Sequence, residues 1–290
     1  MIPVQKYLSL IKFSHTIFAL PFALIGFFLG MKTGVITETY TLLKLFFLVL
    51  GCMVFARSAA MAFNRYLDRR FDALNPRTAI REIPAGAIRP AQALAFTIGS
   101  AILFVVCTWF INPLCFYLSP VALFIILFYS YTKRFTPLCH LILGLGLSLA
   151  PIGAYLAVTG SFQGLPLLFS LAVLFWVSGF DIIYALQDET FDKTHQLHSI
   201  PVWLGAPNAL RLSRCLHILS ALCVLVAYWV GGFGGWYLIG LAVFTGMLIY
   251  QQSIVSAGNL SRVNLAFMTA NGIASVVFAA FVITDLYFKL

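Results

Sequence analysis

The chain has 290 residues, of which 61% are hydrophobic and only 9% charged. Ordinary globular domains carry about 25% charged residues, so a water-soluble fold is excluded. The net charge of +9 would suit a nucleic-acid partner in a soluble protein. In so apolar a chain, basic residues serve as topology signals and phosphate contacts at a membrane surface, and no nucleic-acid partner is expected.

Nine apolar segments predict an all-α, polytopic membrane protein with nine transmembrane helices. They run near 14–32, 41–64, 90–111, 114–131, 138–158, 165–184, 208–230, 234–252 and 264–287. Each approaches or exceeds the ~17–25 residues that cross a hydrocarbon core. Lys6 and Lys12 precede the first segment without a clear small-x-small cleavage site, which predicts a spanning helix and not a removed signal. Asn112-Pro113 divides a long apolar stretch into two helices joined by a tight turn. The six cysteines form no C-x-x-C motif and read as small apolar residues. Gly144, Gly146 and Gly153 predict close helix packing.

Loop charge sets the orientation. Fourteen basic residues fall on one side, against Lys32, Lys44 and Lys289 on the other, with Arg57 inside a helix. The positive-inside rule places the first side in the cytoplasm, with the N-terminus inside and the C-terminus outside a plasma or inner membrane. Two inner loops, 65–89 and 185–207, are long and polar, whereas the outer connections 112–113, 159–164 and 231–234 are short and uncharged. Function is expected on the inner face.

The acids concentrate there too. Asn64, Asp68 and Asp72 are spaced i, i+4, i+8, which puts three oxygen ligands on one helical face. Asp188 and Asp192 repeat the i, i+4 spacing, and Asp181 lies seven residues before Asp188 on nearly the same face. Like charges at this spacing destabilise a helix by a few tenths of a kcal/mol. A divalent cation reverses the sign of that effect, and hard oxygen ligands with phosphate suit Mg²⁺. Arg65, Arg69, Arg77, Arg81, Lys133, Arg134 and Lys193 share the inner side and supply partners for phosphate oxygens. Acids for metal and bases for phosphate at the ends of lipid-embedded helices point to a lipid-like diphosphate substrate.

Three further polar residues draw attention. Arg57 lies two turns deeper than Asn64 on the same face, where an intramembrane Arg costs about 2.5–3.5 kcal/mol. It has two readings, a pair with Asp181 or a contact to a substrate carboxylate. Tyr184 follows Asp181 by one turn. Lys12 either snorkels at the start of the first helix or meets substrate.

The stretch Phe63-Asn64-Arg65-Tyr66-Leu67-Asp68-Arg69-Arg70-Phe71-Asp72 resembles the N-D-x-x-D-x-x-x-D signature of the UbiA-type intramembrane prenyltransferases. Residues Asn75 to Gly86 resemble that family's basic loop, and Tyr129 to Thr136 its Y-x-x-x-K segment. Gly179 to Asp192 is similar to its second aspartate motif. The resemblance implies a single domain over 1–290, with nine helices around a central cavity capped by cytoplasmic loops. It implies Mg²⁺ held by Asn64, Asp68, Asp72, Asp188 and Asp192. It further implies diphosphate contacts from Lys133, with Arg69, Arg77 and Arg81 behind it, and an assisting Tyr129.

The implied activity is Mg²⁺-dependent transfer of a polyprenyl group from its diphosphate to an aromatic hydroxy acid in ubiquinone or menaquinone biosynthesis. Asp181 is a candidate for taking the ring proton, and Tyr184 for stabilising an allylic cation. Two departures stand out. Arg65 replaces the first Asp of the signature, the one that follows Asn, and Lys12-Phe13-Ser14-His15 stands where typical 4-hydroxybenzoate enzymes carry an R-x-D-K-like sequence. The F-N-R-x-x-D wording and Leu197 to Pro201 resemble a branch labelled 4-hydroxybenzoate prenyltransferase, some members of which serve the futalosine route to menaquinone with a dihydroxynaphthoate acceptor. A family branch with a haem, chlorin or homogentisate acceptor is one alternative, and a transporter using Arg57 and Asp181 is the alternative from another class. The clustering of polar groups at one face and the lack of an evident internal repeat weigh against it.

Overall fold

The computed structural model describes residues 3–11 and 18–289, the side chains of Pro3 and Val4 excepted. Lys12 therefore lies outside the described residues. In chain order the helices are α1 (Pro3–Leu10), α2 (Leu20–Lys32), α3 (Thr39–Leu74), α4 (Pro90–Ile111), α5 (Pro113–Thr132) and α6 (Cys139–Thr159). They continue as α7 (Gly164–Ala185), α8 (Glu189–Thr194), α9 (Ile200–Gly231), α10 (Gly235–Ile254), α11 (Val263–Leu265) and α12 (Asn271–Tyr287). Among the described residues, eight helices are long and apolar enough to cross a membrane, with α12 counted together with α11. The remaining predicted span, the first at 14–32, corresponds to α2, whose described length is 13 residues. The protein is an all-helical, multi-pass membrane protein.

Local chemistry explains most boundaries. Asn112 accepts a hydrogen bond from the Cys115 N–H (2.8 Å) and Pro113 opens α5, so the predicted turn is a capped helix start. Helix α6 ends on Gly160, which adopts the left-handed conformation. One expected boundary is corrected. The second predicted span ends at residue 64, with a loop expected over 65–89, but α3 continues to Leu74. Falling hydropathy marks where a helix leaves lipid, not where its backbone hydrogen bonds stop. The break comes at Asn75-Pro76, because Pro disfavours helical backbone in the residue before it. Helix α9 likewise begins before its expected start at 208. Ser199 caps Ile200 onward, and the helix kinks at Gly205 (φ +73°) before Pro207 resumes it.

The chain forms two compact units. The first comprises residues 1–16 and 44–131. Here Leu10, Ala62, Ile83, Ile88 and Ala93 bring together α1, α3, the loop 75–89 and α4. Its helices expose Ile98, Ile102, Trp109, Tyr117 and Phe124, an apolar surface that only lipid would solvate.

The second unit comprises residues 17–43 and 132–290. Helix α7 packs between α6 and α9, α2 lies against α6 and α12, and α10 against α12 and α9. Its centre is aromatic: Phe22, Phe169, Trp176, Tyr237, Phe244 and Phe278 are all buried. Close approach rests on glycine. A Cβ at Gly144 would overlap Ser178 Oγ and the Leu174 carbonyl, as predicted for that residue, whereas one at Gly153 would meet nothing within 4 Å. The packing role expected of Gly153 is thus corrected, because that face of α6 is open. A tight contact that the sequence did not announce lies at Gly26, where a Cβ would overlap the Pro151 carbonyl.

Polar groups also stitch this unit. The segment Ala266–Ala270 is π-helical, and Asn271 Nδ2 donates to the Phe267 carbonyl (2.9 Å). Asn271 Oδ1 accepts from Trp176 Nε1 (2.9 Å) and from Gln251. Asp285, fully buried on α12, accepts the backbone N–H groups of Gly234 (2.7 Å) and Tyr237 (3.2 Å) at the start of α10. A side chain from another helix thereby satisfies amides that would otherwise lack acceptors in lipid. Asp285→Ala is expected to lower stability by about 1–3 kcal/mol, and Asp285→Asn by less, because it keeps one acceptor oxygen. Midpoints of thermal unfolding in detergent should rank wild type, Asn, Ala.

Candidate active site

In the first unit, the long α3 carries Asn64, Asp68 and Asp72 on successive turns of one face, as their spacing predicts. Asn64 Nδ2 donates to Asp68 Oδ2 at 3.1 Å. Asp72 is buried and forms an ion pair with Arg81 Nη1 at 2.6 Å. Its other oxygen, Oδ2, is buried with no hydrogen-bond partner among the described residues. The loop that delivers Arg81 is held in place by Thr78, whose hydroxyl donates to the Asp72 carbonyl (3.1 Å), and by the Arg77 N–H, which donates to Asn75 Oδ1 (3.0 Å). The hydroxyl of Ser9 donates to Glu82 in the same loop.

The basic residues of this unit are less available than their loop positions suggested. Arg69 donates to the Tyr66 carbonyl (2.5 Å), with its guanidinium 4.5 Å from the Tyr66 ring centroid. Arg65, the departure from the signature, is buried within electrostatic reach of Arg81, Asp72 and Glu82. Arg57 lies within electrostatic reach of Tyr129.

In the second unit the aspartate motif departs from a continuous helix. Helix α7 ends at Ala185, residues Leu186–Asp188 form a 3₁₀ turn, and α8 begins at Glu189. The tighter turn changes the angular advance per residue, so the reading of Asp181 and Asp188 as one helical face is corrected. Asp192 is fully buried and pairs with Lys133 Nζ at 2.8 Å. Burial alone would lower the Lys133 pKa, but the charge and hydrogen bond of Asp192, with Asp188 nearby, hold it above the ordinary 10.5. Backbone contacts fasten the surroundings: the His198 N–H donates to the Lys133 carbonyl at 2.7 Å. Tyr184 packs on Phe267 with ring centroids 4.3 Å apart.

Asp181 Oδ2 lies 2.6 Å from Nδ1 of His140, the second residue of α6. His140 was not singled out from sequence, because a lone His in an apolar run carries no spacing signal. Within neither unit, among the described residues, do three His, Cys, Asp or Glu side chains gather as a ready-made metal cluster. The donor set nevertheless fits Mg²⁺. It consists of hard oxygens, and Asp72 Oδ2 is a buried carboxylate oxygen with coordination capacity to spare.

Residues 19–281 match the UbiA prenyltransferase family. The chain is 32% identical over 224 residues to the 4-hydroxybenzoate octaprenyltransferase of Tolumonas auensis, covering 77% of this chain and 78% of that one. It is 30% identical over 258 residues to the enzyme of the same name from Aeromonas salmonicida, covering 89% and 88%. Among solved structures, an apo UbiA homolog from Aeropyrum pernix K1 superposes with a TM-score of 0.82 at 32% identity, over 93% of this chain and 98% of that one. A UbiA homolog from Archaeoglobus fulgidus bound to GPP and Mg²⁺ shares the fold at 22% identity and a TM-score of 0.72, over 97% and 99%. The chain belongs to the UbiA prenyltransferase family, and it is an enzyme of the prenyltransferase class.

The Lys133–Asp192 pair yields a stability prediction. Lys133→Met leaves a buried carboxylate without its cation. The expected loss is about 1–3 kcal/mol, below the 3–5 of a fully buried pair because the Lys133 side chain is 32% exposed. With its pKa raised in the fold, the contribution of Lys133 is complete at neutral pH and is lost as pH rises through the folded pKa, above 10.5. Thermal melts of wild type and Lys133→Met should therefore differ at neutral pH and converge in that alkaline range.

Proposed function

We propose that this protein transfers a polyprenyl group from its diphosphate to a ring carbon of an aromatic hydroxy acid in quinone biosynthesis, at the cytoplasmic face of the cell membrane. The observation that carries the reading is that each aspartate motif holds a buried carboxylate in an ion pair with a basic residue of the predicted phosphate-binding set. These are Asp72 with Arg81 and Asp192 with Lys133. Such pairs are matched to a magnesium diphosphate, which brings a cation for the acids and an anion for the bases. The relatives named 4-hydroxybenzoate octaprenyltransferase support a phenolic acid acceptor and a long prenyl donor. The Archaeoglobus homolog, sharing the fold, supports a prenyl diphosphate with Mg²⁺.

In the first unit Asn64, Asp68 and Asp72 would hold Mg²⁺, and in the second Asp188 and Asp192. When bound, the metal supplies charge neutralisation for the departing diphosphate. Arg81 and Lys133 exchange their carboxylate partners for phosphate oxygens, with Arg69 and Arg77 contributing further positive charge. Tyr129 assists at the diphosphate. Tyr184, its ring fixed by Phe267, presents an aromatic face to the allylic cation. Arg57 binds the acceptor carboxylate, and Lys12 is a further candidate contact for substrate. Asp181 takes the ring proton. The apolar surroundings keep out water that would quench the cation. The bilayer supplies the donor, and the positive-inside rule puts the N-terminus in the cytoplasm and the C-terminus outside.

Asp68→Ala and Asp192→Ala are expected to lower EDTA-sensitive, Mg²⁺-dependent diphosphate release by roughly 100-fold or more, with the protein still inserted in membranes. The assay supplies geranyl diphosphate with 4-hydroxybenzoate or 1,4-dihydroxy-6-naphthoate. Product mass should show one of the two acids carrying the prenyl group on carbon. Full activity in either variant would remove the metal assignment.

A further inference from the structure

We propose that His140 is a positioning residue for prenyl transfer: its ring holds the Asp181 carboxylate in one orientation, so that Asp181 takes the proton the aromatic ring loses. The inference rests on the prenyl-transfer reading above and adds to it a residue from outside every motif of the sequence.

The geometry is that of a base and its support. His140 Nδ1 and Asp181 Oδ2 are 2.6 Å apart, the length of a strong charge-assisted hydrogen bond. Exposure divides the two roles. The His140 side chain is 5% exposed and that of Asp181 22%, so the carboxylate is the member that a substrate can reach. A carboxylate on a membrane helix requires a partner, and the imidazole behind it supplies one. With Asp181 ionised, the hydrogen sits on His140 Nδ1 and points at the carboxylate.

His140 Nε2 is buried with no hydrogen-bond partner among the described residues, so the polar side-chain contact that the ring makes is the one through Nδ1 to Asp181. The backbone around His140 is also tied to the second aspartate motif. Asp192 pairs with Lys133, the Lys133 carbonyl accepts from the His198 N–H, and Cys139 Sγ lies 3.7 Å from the His198 carbonyl. The dyad is therefore tied, within the second unit, to Lys133 and Asp192.

The reaction balances with these groups. The allylic C–O bond breaks with its electron pair leaving on the diphosphate. A ring π pair forms the new C–C bond. The ring C–H pair then returns to restore aromaticity, and its proton goes to Asp181.

The test compares wild type, His140→Leu, His140→Gln and Asp181→Asn. Each is assayed with geranyl diphosphate and whichever of 4-hydroxybenzoate or 1,4-dihydroxy-6-naphthoate wild type prenylates, with the acceptor unlabelled or deuterated at the reacting ring carbon. Wild type should show no isotope effect. His140→Leu should lower kcat roughly 10–100-fold, with KM for geranyl diphosphate unchanged and an isotope effect emerging as proton loss becomes limiting. Asp181→Asn should show the larger loss. His140→Gln, whose amide can still donate to the carboxylate, should recover most of the rate.

A His140→Leu enzyme that slows without an isotope effect, or keeps wild-type kcat, overturns the proposal. If His140→Leu does not accumulate in membranes, His140→Asn gives the same comparison with a donor too short to serve. If wild type itself prenylates neither acid, the prenyl-transfer reading falls, which is a result distinct from failure of the variants.

Discussion

A carboxylate at the end of a membrane-spanning helix needs a counter-charge within a few ångströms, because the low dielectric around it makes an isolated charge very costly. Much of the described polar architecture answers that requirement. Asp72 has Arg81, Asp192 has Lys133, Asp181 has His140, and Asp285 has the two amides that open α10. The chain has nine acidic residues in all, so these arrangements account for a large share of its negative charge. The four differ in what they do for the protein. The amide pair is fully internal and acts on the fold. The other three join an acid to a side chain that can change partner, which lets the same groups serve both the resting protein and a charged substrate.

That distinction explains how much was legible in the sequence. The helices followed from apolar length, and the first motif from its four-residue spacing, because α3 is a regular helix throughout the region that matters. The second motif was found but its geometry was not. A continuous helix through 181–192 was the simplest extrapolation, whereas the chain inserts a 3₁₀ turn at 186–188. Nothing in Leu186-Gln187-Asp188 announces such a turn, since no Gly or Pro marks it. His140 was missed for a related reason: its partner is 41 residues away, and pairing across helices leaves no local pattern. Arg65 was legible only as a departure. It is buried in a mixed group of charges with Arg81, Asp72 and Glu82, which no local pattern in the sequence announces.

The second unit combines an aromatic centre with polar ties, and the two have separate tasks. Rings such as Trp176, Phe244 and Phe278 fill volume, but lipid tails are as apolar as they are and provide little drive for helices to associate. Direction comes from hydrogen bonds. Asn271 collects Trp176 and Gln251 at the end of the π-helical stretch, and the Ser213 hydroxyl donates to the Gly179 carbonyl at 2.8 Å while accepting from Gln252. These contacts fix the rotation of α7 about its axis. That rotation decides where Asp181 and Tyr184 point.

The capping of α10 by Asp285 has a consequence for how the protein is made. During synthesis α10 emerges some fifty residues before its acceptor, since Gly234 and Asp285 are 51 positions apart. When this helix is threaded into the bilayer, its leading amides have no carboxylate to meet. They must borrow water or lipid headgroups until α12 follows. Chain order therefore makes this contact one that cannot form until α12 has been synthesised, and α10 is delivered as an unfinished part.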